Sequence, residues 1–293
     1  MGEKADIRPI LSTPPTPSRA TLRLSSFLVD GRPVIVDDSA ITMLLSDLAS
    51  YLNAELRIGE IADYGSALNG LQMENSKGEV TKVIAAVDAC LPVIREATAR
   101  GADLLLVHHG LFWSGLQPVT RSVFEKNRLC IENNLAIYSA HLPLDAHPTL
   151  GNNAVLMRAL RLEPARSFHP YKGTDIGLVA EAEVHRDELV ARLKQATGAA
   201  VHLCPGGPAV TKRIGLVTGG AGSEVAAAVA AGIDTFITGE GPHWSYTLAE
   251  ELGVNLIYAG HYATETFGVK ALARHLNEKF GLPWEFVDHP TGL

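Results

Sequence analysis

Short apolar runs alternate with amphipathic stretches along most of this chain. Runs that read as buried strands fall at 83–88, 103–107, 135–140, 176–183, 213–218, 234–238 and 254–259. Between them, 91–100, 124–133 and 223–231 read as helices, and 266–280 as a long C-terminal helix closed by Gly281 and Pro283. Ser39 is an N-cap candidate for an amphipathic helix reaching about Glu55. This alternation predicts a three-layer α/β fold. The first 38 residues differ. Ser12-Thr13-Pro14-Pro15-Thr16-Pro17-Ser18 can form neither a helix nor a central strand. Leu22-Arg23-Leu24 and Val34-Ile35-Val36 flank Asp30-Gly31, a turn signal that predicts a short hairpin. A transit peptide is the alternative, but Glu3 and Asp6 fit it poorly and no apolar secretory core precedes a cleavage site.

The chain also matches itself. Gly101-Ala102-Asp103-Leu104-Leu105-Leu106-Val107-His108-His109-Gly110 aligns without a gap on Gly232-Ile233-Asp234-Thr235-Phe236-Ile237-Thr238-Gly239-Glu240-Gly241, which sets His109 on Glu240. Farther on, an apolar run ending in His141 with Asp145 four residues later aligns on one ending in His261 with Glu265 four residues later. Upstream, 83–88 and 214–219 each lead into an Ala-rich helical stretch. The expectation is two related three-layer α/β units facing one another across a cleft. Residues 1–38 form an extension, 39–160 the first unit, completed by 255–293, and 161–254 the second. Ligands of open α/β sheets bind at strand C-terminal ends, which places a site in that cleft.

Composition removes several rivals. Hydrophobic residues are 46% and charged ones 19%, which describes a globular chain. No apolar run reaches the ~18–20 residues of a membrane helix. A net charge of −7 argues against a dedicated nucleic-acid surface, which needs clustered Lys and Arg. Cys90, Cys130 and Cys204 are far apart and odd in number, as expected of reduced thiols in a cytoplasmic protein.

The chemistry concentrates at histidines. His108 and His109 sit where an apolar strand opens into Gly110, a costly place for two imidazoles unless they have work there. Adjacent strand residues point to opposite faces, so the pair suits two ions bridged by a carboxylate, about 3.5–4 Å apart, better than one. Glu265 or Asp145 is the candidate bridge. A histidine and an acid at i and i+4 share one face if the segment opens a helix, and Gly260 before His261 suits a strand-to-helix turn. Mixed imidazole and carboxylate ligands favour Zn, Fe, Mn, Co or Ni over Ca or Mg. His169, His185 and His202 read as surface residues. Trp113 and Trp244 read as packing or interface residues, and Asn69 and Gln72 as ligand contacts or turn caps. Thr218-Gly219-Gly220-Ala221-Gly222 is either a phosphate cradle or, at twice the weight, a tight strand-to-helix turn.

These residues carry a resemblance. Asp63-Tyr64, Asn69-Gly70-Leu71-Gln72, His108-His109-Gly110-Leu111-Phe112-Trp113, His141-Leu142-Pro143-Leu144-Asp145, Gly151-Asn152-Asn153, Thr238-Gly239-Glu240 and Gly260-His261 with Ala263-Thr264-Glu265 resemble the motifs of the dinuclear-metal-centre hexameric proteins. These are commonly labelled GTP cyclohydrolase 1 type 2 homologues and are interacting-factor-three-like. The resemblance spans roughly residue 40 to 293. It implies a compact two-unit subunit in a ring-shaped homo-hexamer, with two divalent ions per subunit held by His108, His109, Asp145, His261 and Glu265. It implies a small-molecule substrate, a nucleotide, and opening of the purine ring of GTP by metal-activated water. His141 lies outside the usual ligand set and is assigned to proton transfer with Glu240. His243-Trp244 and the Pro-rich extension exceed the family pattern. Two other readings stand beside this one: a dinuclear hydrolase of a phosphoester or amide, and a non-catalytic metal-holding ring.

Overall fold

The computed structural model describes residues 25–29, 32–36 and 41–293. In the N-terminal segment β1 (Ser25–Val29) and β2 (Arg32–Val36) pair antiparallel, with Val29 opposite Arg32. The expected strand at 22–24, the Pro-rich stretch and Ser39 lie outside the described residues. From Ile41 onward the chain forms one body built on two sheets.

The first sheet has five strands in the order β15-β6-β7-β8-β4. β6 (Val83–Asp88), β7 (Leu104–His109), β8 (Ala136–Ser139) and β15 (Trp284–Phe286) run parallel, and β4 (Gly70–Met73) is an antiparallel edge. Strands buried on both faces carry apolar residues at every position, which is why 104–107 reads as an unbroken run. On one face lie α2 (Leu91–Ala99) and α3 (Arg121–Glu132), sealed by Ile84, Ala86, Leu105 and Val107. On the other lie α1 (Leu45–Glu55) and α9 (His261–Phe280), sealed by Val83, Ala85, Leu104 and Leu106. α1 buries Leu45, Leu48, Ala49 and Leu52, one helical stripe, and each buried leucine contributes about 1.5–3 kcal/mol relative to exposure. This helix starts five residues later than expected from Ser39 as its N-cap, because Met43–Leu44 (β3) is drawn into a short pairing with Glu79–Val80 (β5).

The second sheet has six strands in the order β11-β14-β13-β12-β10-β9. β12 (Val210–Leu216), β13 (Thr235–Thr238) and β14 (Asn255–Tyr258) are parallel, as β6, β7 and β8 are, so the repeat read from sequence is also a repeat of topology. β9 (Pro164–Tyr171), β10 (Thr174–His185) and β11 (His202–Pro205) add antiparallel edges. α5 (Asn152–Ala159) and α6 (Arg186–Thr197) cover one face, and α7 (Val225–Ala230) and α8 (His243–Leu252) the other. α5 packs on α9, which joins the two sandwiches. The chain returns to the first sheet with α9 at residue 261. Residues 255–258, expected to complete the first unit, pair with β13 in the second. α9 also starts five residues earlier than the 266 expected, and it ends where Gly281 takes the left-handed φ of 73°.

Candidate metal centre

The strand C-terminal ends of the two sheets face one another, and the candidate ligands and proton carriers singled out in the sequence, His108, His109, His141, Asp145, Glu240, His261 and Glu265, meet there. β7 and β6 are in register so that Asp88 lies opposite His109, and the Asp88 carboxylate accepts a hydrogen bond from His109 Nδ1 at 2.9 Å. His108 gives its Nδ1 proton to the Ala140 carbonyl at 2.8 Å. His261, in the first turn of α9, donates from Nδ1 to Glu240 at 2.7 Å. His141, just before the short helix α4 (Leu142–Asp145), donates from Nδ1 to Asp63 at 3.0 Å. These tautomers follow from the partners: an oxygen acceptor at Nδ1 places the proton there and leaves Nε2 as a lone pair. Four imidazoles are wired alike, each with Nε2 turned inward.

The inward atoms converge without satisfying one another. His108 Nε2 stands 3.5 Å from both Asp145 and Glu265. Glu265 Oε2 stands 3.5 Å from His109 Nε2 and 3.2 Å from His261 Nε2. Yet His108 Nε2 and Glu265 Oε2 are fully buried and make no directed hydrogen bond. Lone pairs aimed at shared points, at a cost of about 1–3 kcal/mol per unsatisfied buried group, are what a cation would relieve. One donor atom each from His108, His109 and His141 lies within 4.8 Å of the others, and so do donors from His109, His261 and Glu265. His109 belongs to both groups, and its one free lone pair can serve a single ion, so the two groups form one continuous pocket of nitrogen and oxygen donors of the kind divalent metals favour.

The surrounding structure holds these groups in place. Asn152 donates to Asp145 Oδ1 at 2.8 Å and accepts the Gly268 amide at 2.6 Å, tying one ligand to α9. Asp63 also accepts the Leu142 amide, and Asn69 holds the His141 amide at 2.7 Å. Burial alone would raise the Glu265 carboxyl, but His108, His109 and His261 around it hold it well below the usual range. Burial alone would lower His108, but Asp145 and Glu265 raise it to about 10, and Glu265 and Glu240 raise His261 to about 9. Burial opposes the Asp63 shift too, and the hydrogen bond from His141 brings that carboxyl down.

Asp88 and Asn152 carry part of the arrangement, and the sequence reading gave neither a role. The signal for Asp88 was present: an aspartate ends the apolar run 83–87 at the same depth as His109 ends its own. Trp113 is not simply packing in a core. It is 37% exposed, with its ring 4.7 Å from His109 and 4.5 Å from His141. The 218–222 loop is a tight turn. Its amides at 218, 219, 221 and 222 go to Asn153, Thr264, Thr238 and Glu240. A Cβ on Gly219 would meet Glu265 Oε1 at 2.2 Å, so the glycine is there to let the backbone approach the centre.

The family described as Duf34/NIF3 (NGG1p interacting factor 3) matches residues 43–291. A protein of Deinococcus radiodurans named "GTP cyclohydrolase 1 type 2 homolog" is 41% identical over 249 residues, covering 84% of this chain and 94% of that one. A solved structure described as "protein ybgI, unknown function" superimposes with a TM-score of 0.79 at 36% identity, covering 86% of this chain and 100% of that one. A structure from Thermus thermophilus gives 0.74 at 40% identity, with the same coverage.

Proposed function

The chain belongs to the Duf34/NIF3 family, and from that premise we propose that it is a dinuclear metal-dependent hydrolase of a small ring-containing substrate. The reading places His108, His109, Asp145, His261 and Glu265 as ligands and works as a homo-hexamer in the cytoplasm. The observation that carries it is the convergence of inward Nε2 atoms on a buried carboxylate whose remaining lone pair has no partner. A pair of divalent ions of Zn, Fe, Mn, Ni or Co held there would supply Lewis acidity and water activated near neutral pH.

The chain's own residues do the rest. His141, polarised by Asp63, accepts a proton at Nε2 and returns it to the leaving nitrogen. Glu240 fixes the orientation of His261 through Nδ1 and, being 43% exposed, also faces solvent as a proton outlet. Trp113 covers the imidazole faces and keeps bulk water from them. The substrate taken over from the relatives' name is GTP, opened at the purine ring. A phosphoester or amide substrate is favoured instead by the 218–222 loop, four of whose five amides are already committed, which leaves too few to cradle a triphosphate.

The test is formate release from GTP by protein loaded in turn with Zn, Mn, Fe and Ni, alongside Glu265→Ala. Metal-dependent release that Glu265→Ala lowers at least about a hundredfold is expected if Glu265 holds the metal. No release with any metal, at about two bound ions per chain, would remove GTP and leave the other hydrolytic substrates.

A further inference from the structure

Beside the metal centre, on the His109 side, lies a cavity of about 170 Å³. Asp88, Cys90, His109, Leu111, Trp113 and Lys126 line it. Its floor is rigid: Gln72 accepts the Leu111 amide at 2.7 Å and is itself tied to the carbonyls of Ala67 and Leu68. A Cβ at Gly110 would strike Gln72 at 2.2 Å, so this packing depends on glycine. One wall is the exposed indole of Trp113.

Lys126, half-buried on α3, is the one cation of the lining and forms no ion pair or hydrogen bond among the described residues. Its neighbours Glu125 and Arg128 are paired with each other. The carboxylate on the opposite wall, Asp88, is engaged with His109. An ammonium kept out of ion pairs, in the lining of a cavity that also holds an indole, is free to meet an anionic oxygen. A volume of about 170 Å³ suits one ring with one small anionic group, and one lysine balances one such group.

We propose that this cavity is the substrate's recognition pocket, and that it takes a flat ring against Trp113 together with a single phosphate or carboxylate group on Lys126. The proposal rests on the hydrolase reading for its purpose, but it narrows the substrate class to compact ring compounds with one anionic group, in place of a nucleoside triphosphate.

The test reads occupancy and needs no turnover. Cys90 lines the pocket, whereas Cys130 and Cys204 are buried, so alkylation of Cys90 by iodoacetamide followed by mass spectrometry reports the pocket. Zinc-loaded full-length protein is labelled with phenyl phosphate, benzoate or inorganic phosphate present. Phenyl phosphate or benzoate is expected to slow labelling, and which of them does so identifies the group. In Lys126→Gln the protecting concentration should rise by about tenfold or more, the loss of one charge-assisted hydrogen bond. In Trp113→Leu, protection by the ring compounds should weaken while that by inorganic phosphate stays. Equal zinc content in all three proteins shows that the centre is intact. No protection by either ring compound at a concentration on the order of 10 mM, beyond weak millimolar binding, overturns the proposal, and so does equal protection in Lys126→Gln. Formate release from GTP is measured separately, so failure there leaves this result untouched.

Discussion

An imidazole whose Nδ1 proton is spoken for has one useful lone pair left, and in this chain four of them point the same way. In the metal-free protein His108 and His261 take up protons instead. The His108 and His261 pKa values, at about 10 and about 9, lie above the ordinary 6.5, so their protonated forms stabilise the fold. That contribution is complete below 6.5 and is lost as pH climbs through 9 to 10. Glu265 works in the opposite sense: depressed below 4.5, it contributes above that pH and its share is lost as pH falls. Chelated protein is therefore expected to melt at its highest temperature between about pH 4.5 and 6.5 and at lower temperatures toward pH 10, checked by thermal scans across that range. Metal binding should run the other way, tightening as pH rises and releasing protons, because ligating imidazoles must be neutral. Calorimetry in two buffers of different ionisation heat measures the released protons, and pH-independent affinity would contradict the wiring described. The histidines and acids of this centre were legible in the sequence because strand ends and i, i+4 spacing announce them. Asp63 and Lys126 were not, because their meaning depends on chain segments 78 and more residues away in the one case and on a cavity in the other.

At the scale of elements, the centre is only as firm as the contact between α5 and α9. Asn152 bridges that contact, with one end on Asp145 and the other on the Gly268 amide. A Cβ at Gly268 would lie 2.9 Å from Asn152, which shows how closely the helices approach. Asn152→Ala should cost about 1–3 kcal/mol of stability through the unpaired amide. It should also weaken metal binding by about 10–100-fold through the freed Asp145. Denaturation and a chelator competition measure the two, and unchanged metal affinity would show that Asp145 does not depend on this tie. The parallel strands were read correctly from their continuous apolar runs. The edges were harder to see: β9, β11 and β15 alternate or are short, and their pairing comes from partners far along the chain. The start of α9 at His261 was marked by the Gly260 turn and the His261–Glu265 spacing, and the hydrophobic pattern alone placed it later, at 266. Its first turn carries His261 and Glu265, which a hydrophobic pattern does not count as helical.

For the whole molecule, the candidate ligands on β7, α4 and α9 meet Glu240 and the 218–222 loop of the second sandwich in one cleft, so a metal held there would tighten the contact between the two. Chelation should lower the melting temperature in a single transition, since the α5 and α9 contact remains, which calorimetric scans with and without chelator would measure. Two separate transitions would show sandwiches that unfold independently. No helix among the described residues is long and apolar enough to cross a membrane. The repeated order of β6, β7, β8 and β12, β13, β14 has a consequence in evolutionary terms. A site shared by two copies of one short ancestral unit would have felt every substitution twice, once from each side. The two halves of this chain differ at positions that face the cleft: one carries His109 where the other carries Glu240, and Asp88 where the other carries Gly219. Two unlike sides to one centre are what a single chain permits and a symmetric pair of identical units forbids.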